Sequence, residues 1–135
     1  MTLQPYLAFD GECANALNFY KSCLGGEIVF AMTFGESPMA SETPKEWHSK
    51  IMHATYSVDG QSIMASDRPP NMPGPKGFSG FSLSVAYNDV AKGERTMKAL
   101  AEGGQITMPF AATFWAKGFG MCVDKFGVSW MVNCE

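Results

Sequence analysis

The sequence predicts an α+β protein of two βαβββ modules, each a concave mixed sheet with its helix on one face. Three observations lead there. The order strand, helix, strand, loop, two strands runs twice along the 135 residues. Between the runs stands Asp67-Arg68-Pro69-Pro70-Asn71-Met72-Pro73-Gly74-Pro75-Lys76-Gly77, whose prolines cannot continue any element. Finally, Gly25-Gly26-Glu27-Ile28 returns as Gly103-Gly104-Gln105-Ile106, and Gly60-Gln61-Ser62-Ile63-Met64 as Gly127-Val128-Ser129-Trp130-Met131, so the halves read as copies. The modules are residues 1–67 and 78–135, with 68–77 as a proline-rich joint, together one domain.

Residues 3–9 form the first strand, with Pro5 near its start as an edge or first position allows. Residues 12–24 form a helix: Cys13, Leu17, Tyr20 and Leu24 recur at helical spacing and Gly25-Gly26 stops the run. A strand over 27–34 leads into a polar, proline-containing loop over 35–49. Strands 50–57 and 61–66 flank Asp59-Gly60, a two-residue hairpin signal. In the second module 78–87 is a strand, 90–102 a helix with Asp89 as N-cap, 105–110 a strand, and 118–134 two further strands.

Composition narrows the function. With 46% hydrophobic and 17% charged residues the chain is a folded globular protein, not a disordered one. Ten Lys and Arg against thirteen Asp and Glu, with no basic run, leave no footprint for nucleic acid. No apolar stretch approaches the roughly 18 residues of a membrane span, and the first residues lack a charged and apolar leader, so a cytoplasmic protein without membrane contact is expected. Cys13, Cys23, Cys122 and Cys134 show no CxxC spacing and read as reduced thiols rather than disulfides or a zinc site. Ten methionines are numerous for this length, and thioethers fill irregular gaps in cores and adaptable surfaces.

Side chains alternate across a strand, so parity assigns faces. If Asp59-Gly60 is a two-residue turn, Ala54, Tyr56, Ile63 and Ala65 lie under the helix. His53, Thr55, Ser57, Ser62, Met64 and Ser66 then line the face without one. In the second module Phe81, Leu83 and Val85 form the apolar row, and Gly80, Ser82 and Ser84 the other. Taking Asp124 to Gly127 as a four-residue turn sends Val128, Trp130 and Val132 to the core. Ser129, Met131 and Asn133 then face out with Gly118, Gly120 and Cys122, so that position 53 corresponds to Gly118. An open face of small groups, methionines and one imidazole reads as a small-ligand cup. Because neither open face has a helix to cover it, a homodimer is expected.

The paired βαβββ plan resembles the vicinal-oxygen-chelate superfamily of glyoxalase, bleomycin-resistance and extradiol dioxygenase proteins. Thr113-Phe114-Trp115-Ala116-Lys117-Gly118-Phe119-Gly120, followed by Asp124-Lys125-Phe126-Gly127-Val128-Ser129-Trp130-Met131-Val132-Asn133, resembles its PhnB-like branch. Pro5-Tyr6-Leu7, Ala16-Leu17-Asn18-Phe19-Tyr20, Met52-His53-Ala54 and Ser66-Asp67 fit the same branch, which carries the label demethylubiquinone methyltransferase. The superfamily's metal enzymes place His or Glu on the first and fourth strands of each module. Here those positions hold Gln4 or Pro5, Met64, Gly80 and Met131, and thioether, glycine and amide do not hold a hard cation.

The expectation is therefore a small-molecule-binding homodimer of this branch, free of metal and cofactor. Its ligand-binding residues are His53, Thr55, Met64, Ser66, Asp67, Ser82, Ser84, Trp115 and Met131. His53 is the candidate catalytic group, because imidazole changes protonation near neutral pH; the competing role is a hydrogen-bonded polar residue at a dimer seam. Asp67 either orients His53, binds a ligand cation or initiates a turn. Cys122 would be a nucleophile only with a cation beside it, and otherwise an inert buried thiol. Trp47, His48 and Trp115, in or beside loops, are placed to cover a pocket or close an interface. The alternatives are a metal-dependent isomerase or oxygenase, the methyltransferase of the family label, for which no Gly-rich strand-to-helix turn is present, and an antibiotic-sequestering protein.

Overall fold

The computed structural model describes residues 1–135 and divides them into two compact units, Met1–Gly77 and Phe78–Glu135. The first contains β1 (Tyr6–Phe9), α1 (Cys13–Leu24), β2 (Glu27–Thr33), β3 (Ile51–Val58) and β4 (Gln61–Asp67). The second contains β5 (Leu83–Tyr87), α2 (Val90–Ala101), β6 (Gln105–Ala111), β7 (Gly118–Val123) and β8 (Ser129–Cys134). The sheet orders β1-β4-β3-β2 and β5-β8-β7-β6 are the same topology. In each, the first strand runs parallel to the last and the other pairs are antiparallel. The α+β class and the doubled βαβββ order are thus as expected. No helix is long and apolar enough to cross a membrane.

In the first unit the core forms where Leu7, Phe9, Ala54, Tyr56 and Ala65 meet Cys13, Ala16, Leu17 and Tyr20 of α1, all buried. Tyr56 fixes the helix end as well, its hydroxyl donating to the carbonyl of Gly25 at 2.5 Å. The two helices begin differently. Asp89 caps α2 itself, accepting from the Lys92 amide at 3.2 Å. Glu12 makes no side-chain cap, and the first amide of α1, that of Cys13, donates instead to Asp67 Oδ1 at 2.9 Å from the end of β4. Asp59 and Gly60 both take positive φ, 48° and 77°, a type I′ turn that pairs Val58 with Gln61 and keeps the expected register.

Two expectations are corrected. Residues 78–82 are not strand, because Gly80 takes φ 80° and breaks the extended path; β5 starts at Leu83, and Phe81 is 43% exposed rather than in an apolar row. The β7–β8 turn is one residue shorter than supposed. The Asp124 amide donates to the Val128 carbonyl at 2.8 Å, and Gly127 (φ 90°) closes a three-residue loop, pairing Cys122 with Trp130 and Met121 with Met131. A one-residue slip exchanges every side chain between faces. Gly118, Gly120 and Cys122 therefore face α2, and Phe119, Met121 and Val123 face away. The core demands this order: a Cβ on Gly118 would come within 2.4 Å of the Phe110 ring.

Candidate functional site

On the helix-free face of the first unit the register builds two cross-strand rows. One is Tyr6, Met64, Thr55, Phe30; the next has Ala8 beside Ser66 and Met32 beside His53. Tyr6 and Phe30 hold the His53 ring between them. The Tyr6 hydroxyl lies 2.9 Å from His53 Nδ1, and the Phe30 centroid lies 5.9 Å from the imidazole. With the Tyr6 O–H as donor, the other ring nitrogen carries the proton and is a donor for a ligand. His53, Thr55, Met64 and Ser66 therefore share the expected face. Tyr6 was not anticipated, although its alternation with Leu7 placed it on that side.

The second unit repeats the first row as Ser84, Met131, Met121, Met108 and the next as Ala86, Asn133, Phe119, Ala111. The counterpart of His53 is thus Phe119, not Gly118, and this face is lined by thioethers and an aromatic rather than by small groups. Trp115, in the loop before β7, packs edge-on against Phe119 at 5.4 Å and is 54% exposed. Ser82 precedes β5 and stands outside the row. The side-chain carbonyl of Asn133 is buried without a hydrogen-bond partner.

A cavity of about 390 Å³ lies at one end of the first unit's sheet, where the parallel β1 and β4 both finish. Ala8, Phe34, Met39, Met52, Met72, Pro69 and Pro73 give it apolar walls, and Ser66, Asp67 and Arg68 its polar points. His53, Thr55 and Met64 are not in the lining. Two loops close it. In the 35–49 loop, His48 Nε2 donates to the carbonyls of Ala40 and Thr43, and Trp47 packs edge-on against Phe34; His48 is thus a loop tie. In the 68–77 segment, Arg68 donates to the carbonyls of Met72, Pro73 and Pro75, so the proline stretch folds around its guanidinium.

Asp67 neither orients His53 nor offers itself to a cation. It is 2% exposed, on the core-facing parity of β4, and its second oxygen accepts from the Ile51 amide at 2.8 Å. Beside it, burial and the Asp67 charge push the Cys13 thiol up to about 12. Cys122 is a buried core thiol against Trp130.

The donor set does not fit a hard divalent cation. The equivalent strand positions hold Tyr6, Met64, Ser84 and Met131, and no three His, Cys, Asp or Glu side chains converge. An adenosyl methyl donor fits no better: its ribose hydroxyls call for a carboxylate acceptor within reach, and the one carboxylate at the cavity, Asp67, is 2% exposed and held by the amides of Cys13 and Ile51.

Two four-stranded sheets of like topology, β1-β4-β3-β2 and β5-β8-β7-β6, each with one helix, define a glyoxalase-type fold. A glyoxylase/bleomycin resistance protein/dioxygenase domain from Frankia shares it, with TM-score 0.66 at 13% identity over 99% of this chain and 96% of that one, a likeness of fold alone. The profile of the family described as 3-demethylubiquinone-9 3-methyltransferase matches residues 1–133, and the chain belongs to this PhnB-like family. It is 39% identical to protein YjdN of Escherichia coli K12, over 98% of this chain and 95% of that protein. Among solved structures, protein PA1353 of Pseudomonas aeruginosa is 46% identical with TM-score 0.89, covering 99% and 98% of the two chains. A PhnB protein from Bacillus cereus is 29% identical with TM-score 0.84, covering all of both.

Proposed function

We propose that the protein binds a small organic molecule in the cavity at the end of the first unit's sheet, without metal or cofactor. The observation that carries this reading is the cavity's build: about 390 Å³, within the range ligand pockets occupy, with adaptable thioether walls and a few fixed polar groups. Ser66 contributes a hydroxyl, while His53, Thr55 and Met64 form the adjoining face on which a larger ligand would extend. On the second unit, Ser82, Ser84, Trp115 and Met131 belong to a surface better suited to a protein partner. Met108 is 41% exposed and Phe114 97%, and covering such side chains with a second copy removes apolar area from water. The reading is therefore a cytoplasmic homodimer.

The uncharged fluorophore N-phenyl-1-naphthylamine tests the cavity. Saturable binding is expected with the wild type and not with Ala8→Phe, which places a ring in the cavity from an exposed strand position. Absence of saturable binding, or binding unchanged by the substitution, sinks the reading. Sedimentation at micromolar concentration tests assembly, and a monomer mass refutes the dimer.

A further inference from the structure

Arg68 is the one cation in the cavity lining, and its surroundings are unusual for a guanidinium half withdrawn from water. No carboxylate lies within ion-pair distance of it, in contrast to Lys98, which pairs with Glu94 on α2 at 3.4 Å. Its sequence neighbour Asp67 spends both oxygens on the amides of Cys13 and Ile51. What Arg68 has instead is a ring of neutral acceptors, the carbonyls of Met72, Pro73 and Pro75. These use only part of its five N–H donors and leave the net charge uncompensated.

The loop is shaped to hold the guanidinium there. Gly74 takes φ 115°, a backbone conformation that L side chains rarely adopt, and glycine therefore suits the turn that brings the chain over the Arg68 guanidinium. Four prolines in the same segment, Pro69, Pro70, Pro73 and Pro75, remove competing amide donors and stiffen it. A partly buried charge without a counter-ion is costly, and an orienting cage of carbonyls fixes its direction without discharging it. The remaining walls, Phe34, Met39, Met52 and Met72, are apolar.

We propose that the cavity selects amphipathic anions: a small apolar body against the methionines and Phe34, with one carboxylate, phosphonate, sulfonate or comparable acceptor group turned to Arg68. This rests on the small-molecule reading of the same cavity and names the chemistry of its ligand. Hydrogen bonds from guanidinium to an oxyanion are charge-assisted and stronger than neutral ones, the more so beside apolar walls.

A matched pair of probes separates the two claims. 1-Anilinonaphthalene-8-sulfonate is N-phenyl-1-naphthylamine with a sulfonate added, so the ratio of their dissociation constants reads the anion preference alone. For the wild type the sulfonate is expected to bind about tenfold tighter than the neutral probe. Arg68→Met is expected to abolish that ratio while the neutral probe stays within about twofold, and Arg68→Lys, which keeps the charge, retains part of it. Circular dichroism and melting of each variant establish that it is folded. Equal wild-type affinities for the two probes overturn the proposal while the cavity reading stands. Equal loss of both probes in Arg68→Met and Arg68→Lys also overturns it, because Arg68 then only anchors the loop. Failure of the neutral probe to bind the wild type brings down both.

Discussion

Asp67 shows how one side chain does work that no local pattern announces. Its carboxylate joins the first amide of α1 to the first amide of β3, two groups that are otherwise without partners at the ends of their elements. Asp67→Asn sets an amide donor against one of those N–H groups and is expected to cost about 1 to 3 kcal/mol in chemical denaturation. A change under half the lower figure would show that water replaces the bond. The same carboxylate acts on Cys13, whose thiol is raised from 9.0 to about 12 by burial and then by Asp67. Above pH 9 the unfolded thiol ionises while the folded one stays protonated. The unfolded state then binds fewer protons, and stability present below pH 9 is lost as pH rises toward 12. Cys13→Ala is expected to flatten that alkaline decline in urea midpoints against pH, and native Cys13 to resist alkylation until the protein unfolds.

At the scale of elements, the two hairpins that end the modules differ by a single residue in the loop. Asp59-Gly60 is a two-residue turn, legible because an Asp-Gly pair takes two positive φ values at low cost. In the second hairpin Asp124 stays in the ladder and reaches over the turn. Its Oδ1 accepts from the amides of Phe126 and Val128, and its Oδ2 from Trp130 Nε1 at 2.8 Å. That bond satisfies the one polar atom of the largest buried side chain and fixes which face Trp130 takes. Gly127→Ala, at φ 90°, is expected to destabilise by about 1 to 2 kcal/mol in denaturant melts, with no rearrangement of the fold by circular dichroism. A neutral result would show that the loop has another conformation within reach.

Across the whole molecule the two units share topology and differ in chemistry. Matching rows read Tyr6, Met64, Thr55, Phe30 against Ser84, Met131, Met121, Met108, and His53 against Phe119. The first unit therefore keeps a hydrogen-bonding face beside its cavity, while the second presents an apolar one. Neither offers the oxygen and imidazole donors a divalent cation requires. Zinc, nickel and manganese are accordingly expected to leave the melting temperature unchanged, since a ligand raises it only by binding the folded state. A rise that saturates at one equivalent would overturn the reading and direct attention to His53.

The sequence alone determined the doubled element order, the Asp89 cap, the face of His53 and the scarcity of metal donors. These follow from local rules: glycine and proline punctuation, period-two alternation, and the identity of residues at positions the alternation assigns. Only the tertiary structure decided the face of Cys122, because the turn length at Asp124 depends on where the Trp130 indole finds its acceptor. It also decided the role of Asp67, which lies far along the chain from the amides it caps. The cavity escaped for the same reason. Its walls come from a proline segment that reads locally as a mere joint, and acquire their shape only when the loop closes around Arg68.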